Sequence, residues 1–311
     1  MNIFPQKYFL LLSGLLLAST MFESCTKSGS TIDPEAHKKE IESWRQKRHT
    51  RLLNDQGWLT LCGLFWLKEG ENTMGTDSSN AIVFPSGKSP AVAGSLFLEK
   101  DSIRFVASTP PEIKFKDSIV TSMRVHHDGE PNAEPTILSV RSLTLQIIKR
   151  GAQYGVRVKD KQNPALLNFK GMDYFPIDPG WRFEAKFEPY TPSKSIEIAT
   201  VINTIEKDSC PGAIVFEKDG KEYRLDAVKE VGSDDQLFIM LSDETSGKET
   251  YGLGRQLYTE LPKDNKVVID FNKAYNWPCV FTNFATCPIP PRQNHLPFRV
   301  EAGEKMYKGH E

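Results

Sequence analysis

Residues 181–190 read WRFEAKFEPY, and this alternation decides the fold class. Trp181, Phe183, Ala185 and Phe187 fall on one face of an extended chain; Arg182, Glu184, Lys186 and Glu188 fall on the other. A strand with one dry and one wet face belongs to an antiparallel sheet. Downstream, residues 195–203, 213–216, 222–228, 237–241 and 267–271 repeat the short apolar pattern, and Asp219-Gly220 marks a hairpin turn. No helical stretch separates these runs, so neighbouring strands are expected to pair antiparallel. Upstream, residues 59–67, 81–84, 94–98, 102–106, 137–139, 143–149 and 154–158 carry the same signature, punctuated by Gly, Asn, Asp and Pro. The expected fold is mainly β: an N-terminal amphipathic helix, a β-sandwich, then a second antiparallel β-domain closed by a Pro-rich loop.

The helix is expected from about Pro34 to Asn54. Asp33-Pro34 supplies an N-cap and a first-turn proline, and Ile41, Trp44, Arg48 and Leu52 recur at spacings of three and four. His37 and His49 read as solvated. The 311 residues suffice for two domains. With 39 basic and 40 acidic residues the formal net charge is -1, so nucleic acid is not an expected partner. No G-x-G-x-x-G, phosphate loop or Gly-x-Ser-x-Gly elbow occurs, which removes the commonest nucleotide-binding and hydrolase readings. No cofactor is expected.

Residues 1–25 read as a signal peptide: Lys7, then the short apolar run 8–22, too short for a comfortable membrane span. The run ends Phe22-Glu23-Ser24-Cys25, which resembles a bacterial lipoprotein cleavage site, with Phe22 where Leu is usual. The resemblance implies lipidation of Cys25, export, and a membrane-anchored lipoprotein on the periplasmic face or the cell surface. The expected layout is a leader over 1–25, a tether and helix over 26–56, a β-sandwich over 57–162 and the second β-domain over 163–311.

Residues 63–98 contain EGENTMG and SNAIVFP between apolar runs. This resembles the opening of a forkhead-associated domain and implies a small β-sandwich. Thr76 stands where that family has its phosphate-binding Arg, and residues 91–93 offer no His, so the phosphothreonine site is not expected here. Over a longer span, GWLTLCGLFWLKEGEN, FPIDPGWRFEAKFEPY and DFNKAYNWPCVFTNFATCPIPPRQNHLPFRVEAGEK resemble the bacterial domain of unknown function 1684 family. That family's pattern has Arg at the position of His295, and it implies no activity.

The candidate site lies in the Pro-rich loop. Asp270, Asn272, Tyr275 and Asn276 open it; Arg292, Asn294 and His295 close it; Arg255 sits on the preceding strand. A polar loop pinned by prolines and aromatics over a β-scaffold is a usual place for a site. The leading expectation is a binding protein for a small-molecule or envelope ligand. A hydrolase using Asp270 as general base with Arg255, and a structural envelope component, are the alternatives. In an exported chain Cys279 and Cys287 favour a disulfide. Zinc on Cys279, Cys287 and His295, spaced by eight residues, is the weaker reading, and Cys62 in its apolar run reads as a buried thiol.

Overall fold

A computed structural model describes Met1, residues 32–230 and residues 235–309. The leader and Cys25 lie outside the described residues. The chain is mainly β, with antiparallel sheets and one long helix.

Helix α1 (Pro34–Leu52) starts where Asp33 accepts a hydrogen bond from the Glu35 amide at 3.1 Å. Eleven strands follow: β1 (Leu61–Trp66), β2 (Gly70–Gly75), β3 (Ile82–Val83), β4 (Gly94–Glu99), β5 (Ser102–Ala107), β6 (Lys114–Phe115), β7 (Ser118–Ile119), β8 (Ser122–Val125), β9 (Ile137–Val140), β10 (Leu143–Arg150) and β11 (Gln153–Asp160). They form two sheets, ordered β1-β11-β10-β9-β6-β7 and β3-β2-β4-β5-β8. Both sheets bury side chains in one core, Met74, Leu96 and Phe105 from one and Leu145, Ile147 and Val156 from the other, which makes a sandwich. Gly70–Gly75, within the EGENTMG motif and not among the expected strands, is a strand: Asn72 turns its side chain back to Lys68 and Gly70, and the backbone pairs with β4.

Helix α2 (Pro164–Leu167) leads into β12 (Arg182–Ala199), β13 (Ile205–Lys218), β14 (Lys221–Lys229), β15 (Gln236–Asp243), β16 (Arg255–Glu260), β17 (Lys266–Asp270), β18 (Tyr275–Asn276) and β19 (His295–Leu296). The order is β17-β12-β13-β14-β15-β16-β18, with β19 parallel to β15. The two runs expected as separate strands over 181–190 and 195–203 are one long strand, bulged between Pro189 and Lys194. Leu257 of β16 and Val267 and Ile269 of β17 enter the same core although the two strands do not pair. The sheet therefore curls on itself and leaves a seam between them.

Helix α1 packs on this second sheet, not on the sandwich that follows it in sequence. Trp44 packs against Tyr275 at 5.9 Å, and Arg48 donates from Nε to Glu304 Oε1 at 3.0 Å with both side chains buried. His37 corrects the sequence reading. It is fully buried, and its Nε2 meets Asp270 Oδ2 at 2.7 Å. The stripe His37, Ile41, Arg48, Leu52 is the buried face, so histidine and arginine serve as core positions. Replacing Glu304 by Ala leaves Arg48 charged, buried and unpaired. Urea unfolding should show a loss of about 3–5 kcal/mol, and limited proteolysis should cut within α1 first.

Candidate functional site

The expected site residues are held by the loop's own hydrogen bonds. Asp270 ends β17 and caps a short helical turn: its Oδ1 accepts from the Asn272 amide at 3.0 Å and from Asn272 Nδ2 at 2.8 Å. Asn272 in turn accepts from the Asp178 amide and donates to the Asp178 carbonyl, at 3.1 and 2.9 Å. Asn294 Nδ2 donates to the carbonyls of Asp226 and Met240, both at 2.8 Å, and its Oδ1 accepts from the Asp226 amide at 2.7 Å. β14 and β15 share one register pair, Val228 with Phe238, so this amide replaces a rung of the ladder where the strands part.

Arg255 is fully buried. Nη2 donates to Asp243 at 2.9 Å and to the Val300 carbonyl at 2.8 Å, while Nη1 donates to the Ala302 and Glu304 carbonyls. It clamps the last segment of the chain onto β15 and β16. Burial pulls its pKa down, and Asp243 opposes that shift. Arg255 and Asp270 thus serve separate networks: Asp270 meets His37 and Asn272. Asn276 receives Arg48 Nη2 on its carbonyl at 3.3 Å and donates from Nδ2 to the Lys305 carbonyl at 2.7 Å. Arg292 is exposed on a short turn. His295 is exposed on β19, with Nδ1 at 3.1 Å from Ser242 Oγ and Nε2 at 3.3 Å from Glu244. Cys279 and Cys287 are joined in a disulfide, so their sulfurs are not free for zinc; Cys62 and Cys210 are free thiols.

Two cavities border this region. One, of about 1040 Å³, lies in the seam of the curled sheet, between α1 and the β16–β17 turn; Asp270 and Tyr275 line it. Its charged rim carries a partner for α1, the ion pair of Lys273 with Glu40. The other, of about 900 Å³, lies where α1, the sandwich strands β10 and β11, and loop residues 275–288 meet. Arg157 of β11 faces it with its guanidinium 5.1 Å from the Trp58 ring. Arg157 Nη2 and Arg150 Nε both donate to Thr286 Oγ1, at 3.1 and 3.3 Å. Arg157, Asn276 and Trp277 line this cavity, and Arg157 Nε, Asn276 Oδ1 and Trp277 Nε1 are buried out of its reach with no hydrogen-bond partner among the described residues. Buried polar groups without partners are rare in folded proteins. Burial pushes the Arg157 pKa down to about 10, with the neighbouring Arg150 charge adding to the shift; burial alone pushes Asp208, on the same cavity, upward.

Of the expected residues, the second cavity gathers Tyr275 and Asn276. Its strongest features, Arg157, Trp58, Trp277 and Thr286, were not among them. In QYGVRVKD, Arg157 occupies the face that alternation assigns to solvent, and nothing in the strand itself says that a loop more than a hundred residues later covers it.

Residues 167–305 match the family described as Protein of unknown function (DUF1684). The chain belongs to the DUF1684 family. It is 30% identical to an uncharacterised Haloarcula marismortui protein solved by solution NMR, over 44% of this chain and 77% of that one, with a TM-score of 0.37. A structure from a study of phosphothreonine-dependent FHA domain interactions aligns over 31% of this chain and 92% of that one, at 9% identity and a TM-score of 0.22, and carries no argument. No curated protein matches.

Burial pushes the Tyr275 hydroxyl up to about 12, and burial raises Tyr174 and Tyr258 further. An unfolded tyrosine ionises near 10, so the unfolded state releases its protons first as pH rises. Stability should hold below about pH 10 and fall between about 10 and 12, read by thermal unfolding across that range. Cys62 and Cys210 are each pushed up to about 11 by burial. Alkylation at neutral pH should leave both untouched until denaturant is added.

Proposed function

We propose that this DUF1684 member is a lipid-anchored cell-envelope protein that binds a small molecule in the cavity between α1, β10–β11 and loop residues 275–288. The observation that carries the reading is the cavity itself, walled by Trp58, Phe238, Tyr258, Tyr275 and Trp277 with Arg157 and Asp208 among its polar groups. A cavity of about 900 Å³ with aromatic walls and a few convergent polar groups suits a small ligand. The leader ending at Cys25 supports export and anchoring.

Binding is favoured over hydrolysis by how the loop uses its polar groups. A general base needs a free lone pair directed at substrate. Asp270 has both oxygens engaged, by His37 and by Asn272, and Arg255 turns every partnered nitrogen toward Asp243 and the C-terminal backbone.

The test is native mass spectrometry of the protein purified from its own cell envelope. The expected spectrum shows a mature chain beginning at lipid-modified Cys25 and a small-molecule adduct that leaves on denaturation. A lipidated chain with no adduct in any preparation would favour a structural envelope component, and a full-length chain with its leader intact would remove the anchor.

A further inference from the structure

We infer that the groove in the seam of the curled sheet receives an uncharged extended peptide, which pairs antiparallel with the open edge of β17 at Val268. This site is separate from the cavity that faces the sandwich and does not depend on the small molecule proposed for it.

β17 is hydrogen-bonded on one side only. It pairs with β12, Val267 opposite Ala185 and Ile269 opposite Phe183, and with no other strand. The Phe187 amide donates to the Asn265 carbonyl at 2.8 Å, which sets the phase of that ladder. Bonded and non-bonded positions alternate along an antiparallel pair, so Val267 and Ile269 turn their backbone groups to β12. Lys266, Val268 and Asp270 turn theirs into the seam. The turn satisfies Lys266, whose amide and carbonyl exchange bonds with Lys263, both at 2.9 Å. Asp270 is buried beside His37. Val268 keeps a donor and an acceptor with no partner among the described residues, and it is 40% exposed.

β16 and β17 are joined by the short turn 261–265, the length of an ordinary hairpin loop, yet they do not pair. β18 covers only Arg255 and Gln256 of β16, so residues 257–260 also lack a strand on that side. The space between the two strands is the groove of about 1040 Å³, lined by Val268, Tyr258 and Leu261 with Trp44 of α1. An open strand edge along a groove is what β-strand addition uses: main-chain bonds give affinity and alternate side chains give selectivity.

The lining sets the partner. One residue opposite Val268 exchanges both hydrogen bonds with it, and its side chain shares the outer face with Val268. Exposed Leu261 and half-buried Trp44 border that face, so an apolar side chain fits. The positions on either side turn toward the core, where Leu257 and Ile269 are fully buried, so small residues fit there. At the turn end Lys263 and Lys266 are balanced by Glu260 and Asp264, so the groove selects no ionic partner.

The test is amide hydrogen exchange at Val268, read by NMR on the intact protein. The probes are capped pentapeptides, acetyl-Ser-X-Ser-X-Ser-amide, with Val, Leu or Phe at X. In the free protein the Val268 amide should exchange about tenfold faster than those of Val267 and Ile269. At saturation one or more of the peptides should slow Val268 about tenfold, and the same peptide N-methylated at both X positions should not. Val268→Pro removes the donor that faces the seam and no bond to β12, and Val268→Lys keeps the backbone but sets a charge in the groove; whichever folds should bind about tenfold more weakly. A Val268 amide as slow as its neighbours without peptide overturns the inference, as does protection by none of the peptides or equal protection by the N-methylated copy.

Discussion

The buried ion pair between Arg48 and Glu304 is the constraint on which the rest of the molecule depends. It joins the helix at the start of the described chain to a segment some 250 residues later. Glu304 is fully buried, and its second oxygen accepts from the Asn276 amide at 2.8 Å, so one carboxylate fixes the helix, the first strand of the loop and the chain end together. The Arg48 guanidinium also stacks 4.5 Å over Tyr275. Two charges withdrawn from water are stabilised only by good mutual geometry and saturated hydrogen bonding, and the site meets both conditions. Such a pair adds little net stability over an apolar contact. It admits few alternative registers, and that fixes where α1 lies and hence one wall of the cavity.

The same economy of polar groups runs through the loop. Asn272 and Asn294 present side-chain amides to backbone that has lost its ladder partner, and Arg255 gathers carbonyls of the terminal segment that no strand pairs. Prolines remove donors that would otherwise need partners, and the disulfide between Cys279 and Cys287 closes the middle. A segment with little regular structure is thereby ordered throughout. It lies over the second face of the sandwich strands, where Thr282 donates to the Leu61 carbonyl at 3.1 Å and Thr286 receives the two arginines. Order in the loop is what leaves Trp277 and Arg157 lining a cavity.

Much of the fold was legible because sheets write period two into the chain. The alternation at 181–190 and the Asp-Gly turn at 219–220 mark strands and a hairpin where the structure has them, and Asp33-Pro34 marks the start of α1. What the sequence withheld was partnership over distance. His37 looks like any histidine on a charged helix until Asp270 is placed beside it, 233 residues away. Gly70–Gly75 has no apolar alternation because Asn72 satisfies its own turn and the strand leans on β4. The loop was recognisable as ordered and polar, but the chemistry of its residues pointed inward. Arg255, Asp270 and Asn294 read as a convergent site by type and are instead three separate fastenings. The cavity's most unusual wall residue, Arg157, stands on a strand whose outer face gave no sign of being covered.

The most direct measurement is a high-resolution crystal structure of the protein isolated from its native envelope, without added ligand. Continuous non-protein density in the cavity lined by Arg157, Trp58 and Trp277 is the expected result. A cavity holding only ordered water would contradict it.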